Sequence, residues 1–85
     1  MAAFVNIVGW PQGAKIYVED VLIGYLPIYN HMFKWGKYRV SAIKEGYETE
    51  VRKEFVVWPT DHSKTIVFQL EKIEEEGEIK SFGEK

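Results

Sequence analysis

The sequence of 85 residues predicts an all-β protein: a small antiparallel, Greek-key-like β-sandwich of about six to seven strands, followed by a flexible acidic C-terminal arm. Apolar and polar side chains alternate with a period of two in several segments, as in strands with one buried face. Turn-forming residues separate these segments at short intervals. The chain is 46% hydrophobic and 15% aromatic and has no cysteine, so packing rather than disulfides must stabilise its core.

Six segments have the composition of strands. Alternation is clearest in residues 14–19, 38–42 and 65–70. Residues 4–8, the surroundings of 22–23, and 50–57 are weaker candidates, rich in the β-branched and aromatic side chains that suit a pleated surface. Short strands at this spacing are typical of a sandwich or barrel.

Glycine and proline mark the turns between these strands, because glycine adopts positive φ and proline fixes φ near its turn value. The predicted turns are residues 10–13, 19–20, 34–37, 44–46 and 58–61. We expect structural roles at or beside the turns for Pro11, Gly13, Gly24, Pro27, Gly36, Gly46 and Tyr47. The ring of Tyr47 is expected to cap one end of the sandwich, while its hydroxyl finds a backbone partner.

The turn motifs follow one another in a recognisable order. They are Pro11-Gln12-Gly13-Ala14, Ile16-Tyr17-Val18-Glu19-Asp20, Gly24-Tyr25-Leu26-Pro27, Gly36-Lys37-Tyr38 and Lys44-Glu45-Gly46-Tyr47. Over about residues 4–70 this series resembles the PEGA domain family, from which Gln12, Asp20 and Leu26 depart. The resemblance implies a prealbumin-like or carboxypeptidase-regulatory-like sandwich, typically non-catalytic and found in cell-envelope and surface-layer proteins.

The charge divides the chain into a body, residues 1–70, and an acidic tail, residues 71–85. The body holds 8 Lys and Arg against 7 Asp and Glu, whereas the tail holds 3 Lys and 6 Glu. Ile79 and Phe82 in the tail are candidate anchors of a docking arm. The alternative is a terminus with no fixed partner.

Catalytic and metal-binding patterns are missing from the sequence. It has no Gly-rich phosphate loop, nucleophile elbow or carboxylate pair. Ser63 adjoins His62, but neighbours on an extended chain point in opposite directions. His31, His62 and Asp61 lack the spacing of a zinc site. We therefore expect no enzyme activity, no cofactor and no metal.

The charge and hydropathy patterns also bear on partners. Basic and aromatic residues alternate between Lys34 and Lys53, as in single-strand binders, but the nearly neutral body makes nucleic acid an unlikely partner. No stretch approaches the roughly 20 apolar residues of a membrane helix, so no membrane insertion is expected.

Aromatic residues near the predicted turns either fill the ends of the sandwich or form a surface for protein or glycan partners, since Trp and Tyr are enriched at interface hot spots. Residues 25–35 are the predicted contact loop. The candidate contacts are Tyr25, Tyr29, Phe33, Trp35, Trp58, Ile79 and Phe82. These residues predict a structural module for assembly or adhesion, acting by self-association or within a larger assembly through aromatic loops and strand edges. The alternatives are a decoration-type virus or phage protein and a glycan-binding module.

The sequence carries no signal peptide. A domain of an exported protein would act at the cell surface or envelope, and a free-standing chain would fit a virion. Glutamate and lysine dominate the charged residues while Asn and Gln are few. This composition is typical of thermophile proteins and predicts a melting midpoint above the mesophile range of roughly 45–65 °C.

Overall fold

A computed structural model describes residues 2–73 of the protein and shows seven strands in two packed sheets. The strands are β1 (Ala2–Trp10), β2 (Lys15–Val18), β3 (Val21–Tyr25), β4 (Ile28–Lys34), β5 (Gly36–Ile43), β6 (Glu50–Val57) and β7 (Ser63–Gln69). The first sheet has the order β4-β1-β7 and the second the order β3-β2-β5-β6. The predicted all-β sandwich is confirmed, and none of the described residues forms a helix that could span a membrane.

One strand pairing differs from an all-antiparallel sandwich. Four of the five pairings among the described strands are antiparallel, but β1 and β7 run parallel, from Phe4 opposite Ser63 to Trp10 opposite Gln69. The chain enters β7 beside the start of β1, where the Phe4 amide donates to the His62 carbonyl at 3.0 Å. Alternation along a strand fixes which face is buried and says nothing about the direction of its neighbour.

The core lies between the sheets and follows the alternation within each strand. The predicted inward face of β7, with Ile66 and Phe68, is buried, as is Leu70 just beyond it. Leu26, which departs from the family pattern, is also buried, so its side chain adds apolar packing to the core. The core cluster consists of Ala3, Val5, Ile7, Ala14, Ile16, Leu26, Phe33, Val40, Ala42, Val57, Ile66, Phe68 and Leu70.

The central strand β1 approaches β7 closely at Gly9. A Cβ atom built on Gly9, whose φ is +143°, would lie 1.8 Å from the carbonyl oxygen of Phe68. No rotation of a side chain relieves such a contact, because the obstacle is backbone. This position therefore admits only glycine.

Most predicted turns are confirmed, including the one between β2 and β3. Glu19 and Asp20 have φ values of 49° and 67°, and positive φ at both positions is the pattern of a type I′ hairpin. Arg39 holds the turn from β5: its amide donates to Glu19 Oε2 at 2.6 Å, and its Nη2 lies 2.8 Å from Asp20 Oδ2. Asp20, where the chain departs from the family pattern, thus has an ion-pair partner on the neighbouring strand β5.

The remaining predicted turn residues fall into two groups. Gly13 and Gly46 lie in turns with φ near 85°, and Pro11 and Pro27 lie between strands, each after a cis peptide bond. Gly24 is a correction, because it lies within β3 and pairs with Ile16. Its neighbours in sequence suggested a turn, but the turn begins two residues later.

The body extends slightly beyond the boundary predicted at residue 70. The Glu48 amide donates to the Glu71 carbonyl at 2.8 Å, and the Ile73 amide donates to the Gly46 carbonyl at 2.9 Å. Tyr47 lies between these bonds, half-buried against the core at this end of the sandwich. Residues 71–73 thus belong to the folded body, and the predicted anchors in the tail lie outside the described residues.

Candidate interaction surfaces

A cleft opens at the end of the sandwich where β5 begins and β6 ends. Trp35 and Trp58 line it with their side chains 54% and 60% exposed, and its volume is about 400 Å³. Lys37 is the charged residue among those that line it. The complete lining is Trp35, Gly36, Lys37, Val56, Val57, Trp58 and Pro59. We call this the tryptophan cleft.

A cluster of aromatic rings fixes the backbone next to Trp35. The Phe33 ring packs edge-on against the rings of Tyr38 and Phe55, with centroid distances of 5.0 and 5.6 Å. The Tyr38 hydroxyl donates to the Lys34 carbonyl at 2.5 Å, which fixes the peptide just before Trp35. The link from β4 to β5 is therefore anchored on both sides of the tryptophan.

A compact turn holds Trp58. The Trp58 amide donates to Asp61 Oδ2 at 2.7 Å, and the Asp61 amide donates to the Trp58 carbonyl at 2.9 Å. The Trp58 hydrogen bond and, to a smaller extent, Lys64 at 3.3 Å lower the pKa of the Asp61 carboxyl below its ordinary value. Asp61 is thus charged at neutral pH and positions the turn. The described residues contain no group of three or more His, Asp or Glu able to hold a metal ion.

The outer face of the first sheet carries two groups of exposed apolar side chains, which the uncharged Asn6 and Thr65 separate. Phe4 pairs with Met32 across β1 and β4, and Val8 pairs with Val67 across β1 and β7. Phe4, Met32, Val67 and Trp10 are 51%, 60%, 52% and 54% exposed, while Val8 is half-buried. We call these five side chains the apolar face.

The surroundings of the apolar face are poor in charge. The outward residues between its members are Asn6, Thr65 and Gln69, all uncharged. Among the described residues on this outer face, the charged one is Lys34, which lies at the end of β4. A solvated sheet face normally alternates with charged side chains, so this composition is unusual for a surface facing water.

The outer face of the second sheet is different. Its exposed apolar residues, Leu22, Tyr25, Ile43 and Val51, are interspersed with basic side chains. We call this surface the mixed face, and it consists of Lys15, Tyr17, Leu22, Tyr25, Lys37, Arg39, Ser41, Ile43 and Val51. Such a composition is ordinary for a solvated sheet.

One side of the sandwich is closed by two long cationic side chains. Arg52 Nη2 on β6 donates to the Val67 carbonyl on β7, with its guanidinium 5.0 Å from the Phe68 ring centroid. Lys64 Nζ on β7 donates to the Val56 carbonyl on β6 at 2.9 Å. A strand added at this edge would have to displace these bonds. The predicted use of strand edges is thus opposed on the side where β6 meets β7.

The structure brings together only part of the predicted contact set. Trp35 and Trp58 share one cleft, whereas Tyr25 lies on the mixed face and Tyr29, 65% exposed, lies on the edge strand β4. Phe33 is a correction: it is 3% exposed and belongs to the core. Residues 28–34 form a strand rather than the predicted contact loop, so its side chains alternate between core and solvent.

The apolar face was not among the predicted contact surfaces. Phe4, Met32 and Val67 occupy outward strand positions, which a period-two pattern assigns to polar residues. Large apolar residues at several outward positions of adjacent strands are the signal that could have identified this face. It becomes visible only when the strand order places these residues side by side.

Comparison with known proteins identifies a family. A family model described as the PEGA domain matches residues 4–72. This range begins in β1 and ends at Lys72, whose bridge to Tyr47 closes the described fold. None of the curated protein sequences matches the chain.

Proposed function

Because this chain belongs to the PEGA domain family, we propose that it is a non-catalytic interaction module that self-associates through its apolar face within a surface layer. The observation that carries the proposal is the exposure of Phe4, Met32, Val67 and Trp10 on one face beside uncharged residues. Exposed apolar side chains gathered on one face of a small domain are typical of an interaction site, because burying apolar surface favours association by about 25 cal/mol per Å².

A second copy of the chain is the partner that this face fits. Most homodimers are two-fold symmetric, and such a contact places the same patch of both molecules together. A face rich in charge would bring like charges into proximity, which opposes association. The apolar face avoids this cost, since Lys34 lies at its margin.

The family and the geometry both support a proposed setting. The family resemblance favours a cell-envelope or surface-layer assembly, in which flat faces pack against neighbours. A decoration-type protein on a virus or phage particle would use the same contact. A glycan-binding role has less support, because the tryptophan cleft offers sugar hydroxyls few polar partners besides Lys37.

Light scattering coupled to size exclusion, over a range of concentrations, tests the proposal. We expect the wild-type chain to form dimers or larger species, and Met32→Lys to shift it towards the monomer. Val51→Lys is the matched control, since Val51 is an exposed strand residue, 41% accessible, on the mixed face. A wild-type chain that stays monomeric at all concentrations, or equal responses of the two variants, would overturn the proposal.

A further inference from the structure

The tryptophan cleft has the properties of a receptor for one large apolar side chain. Its two tryptophans are each more than half exposed, although buried rings and a hydrogen-bonded turn fix their backbones. The volume of about 400 Å³ exceeds that of any single side chain, and the walls are apolar apart from Lys37. Rigid aromatic walls of this kind favour an aromatic guest, because ring pairs gain about 0.5–1.5 kcal/mol beyond area burial.

The chain itself contains a segment of matching chemistry. Residues 74–85, which lie outside the described part, contain five glutamates and two lysines, with Phe82 as their one aromatic residue. Lys37 lines the cleft, Lys34 immediately precedes Trp35 in the chain, and within residues 2–73 neither lysine forms an ion pair. An acidic segment with a single phenylalanine therefore complements both the charge and the apolarity of the cleft.

The place where the described chain ends indicates which molecule supplies this segment. Ile73 bonds to Gly46, just beyond the end of β5, whereas the tryptophan cleft lies at the start of β5. The eight residues of β5 span about 27 Å at 3.4 Å per residue. Phe82 is nine residues beyond Ile73 and could travel at most about 31 Å. The same molecule could fill its own cleft only with the segment drawn out almost straight along the sandwich.

We propose that the cleft binds Phe82 of a second copy of the chain, with the glutamates around Phe82 facing Lys34 and Lys37. A neighbouring molecule is free of the length restriction. The contact is heterologous, because a cleft on one copy meets a tail on the next. Each copy keeps one free cleft and one free tail, so the contact propagates head to tail. It also differs from the symmetric contact of the apolar faces.

Two variants test the inference, and each removes one half of the contact. Both are made in the full chain carrying Met32→Lys, so that association through the apolar face does not contribute. One variant, Trp58→Ala, loses a cleft wall and keeps its tail, and the other, Phe82→Ala, keeps its cleft and loses the guest. Ser81→Ala, next to the guest, is the matched control.

Light scattering is read for each protein alone and for a mixture. We expect the Met32→Lys parent and its Ser81→Ala derivative to form species that grow with concentration. Each of the two variants alone should be monomeric, and their equimolar mixture should form a one-to-one pair. Raising salt should weaken the pair, because the glutamates and lysines are exposed.

Three results would overturn the inference: unchanged association of Phe82→Ala, a monomeric parent at every concentration, or a mixture that fails to pair. The mixed experiment separates a binding defect from a folding defect, since a misfolded variant would not complement the other. Failure of the inference is distinguishable from failure of the proposed function. The difference in association between the wild type and the Met32→Lys parent tests the apolar face, whereas the association that this parent retains and the complementation of its two derivatives test the cleft and the tail.

Discussion

The two outer faces of the sandwich are built from the same alternating strands but have different surfaces. On the first sheet, the outward residues other than Lys34 are apolar or uncharged, and four large side chains are more than half exposed. On the second sheet, outward apolar residues are separated by Lys15, Lys37 and Arg39. Both sheets contribute their inner faces to one core. The proposed self-association would account for the difference, with one outer face in water and the other against a neighbour.

The largest expected effect concerns the sheet that carries the apolar face. We expect Gly9→Ala to cost more than about 4 kcal/mol of unfolding free energy, because the new Cβ would overlap the Phe68 carbonyl. Urea denaturation followed by circular dichroism measures the loss. Gly46→Ala is the control, as no atom lies within 4 Å of its Cβ and only its φ of +86° is unfavourable. It should cost about 1–2 kcal/mol, and equal losses would contradict the close approach of β1 and β7.

Two adjacent residues of β4 distinguish the buried side of the first sheet from its apolar face. We expect Phe33→Ala to lower the unfolding free energy by about 3–5 kcal/mol, because the ring is buried among Tyr38 and Phe55. Met32→Ala should change it by less than about 0.5 kcal/mol when measured below the concentration of association. A small effect of Phe33→Ala would mean that the ring is displayed to partners after all.

An intermediate loss is expected at the end of the sandwich opposite the tryptophan cleft. Tyr47 packs against the core but is only half-buried, so Tyr47→Ala should cost about 1–3 kcal/mol rather than the 3–5 typical of a fully buried ring. Chemical denaturation measures this change. A value within about 0.5 kcal/mol of wild type would show that the ring contributes nothing to capping the sandwich.

The dependence of self-association on salt concentration distinguishes a contact through the apolar face from a contact through the mixed face. We expect self-association of the Phe82→Ala chain, which lacks the salt-sensitive contact proposed for the tryptophan cleft, to persist at about 1 M NaCl, where the Debye length is about 3 Å, because apolar burial is not screened. Association through the mixed face, with its Lys15 and Arg39, would weaken over the same range. Sedimentation equilibrium at low and high salt measures the constants. A steep loss with salt would assign the dimer contact to the mixed face.

The smallest expected effect is the acid sensitivity of the turn that carries Trp58. The folded state lowers the pKa of Asp61, so its charged form stabilises the fold above the ordinary value of 3.8, and this contribution is lost as the pH falls further. Asp61→Asn should therefore lower stability at pH 7 and have less effect near pH 3. Urea denaturation of both proteins at the two pH values tests the sign. A larger difference in acid would contradict it.

Sequence could predict the strands and turns because these depend on local chemistry. Alternation located the inward face of β7, and Pro11 and Gly13 located the first turn. Phe33 was misassigned because the aromatic cluster around it suggested a loop, whereas pairing with β1 turns its ring inward. The apolar face and the tryptophan cleft depend on which strands lie side by side, and that arrangement is set by contacts distant in the chain.

The parallel pairing of β1 and β7 has a mechanical consequence. The chain enters the fold at the start of β1 and leaves it after β7, and the two strands are directly bonded over seven residue pairs, from Phe4 and Ser63 to Trp10 and Gln69. A pull on the two ends therefore loads these bonds in shear, so that they must yield together instead of opening one by one. Strands loaded in this way resist separation more strongly than strands whose residue pairs open one at a time.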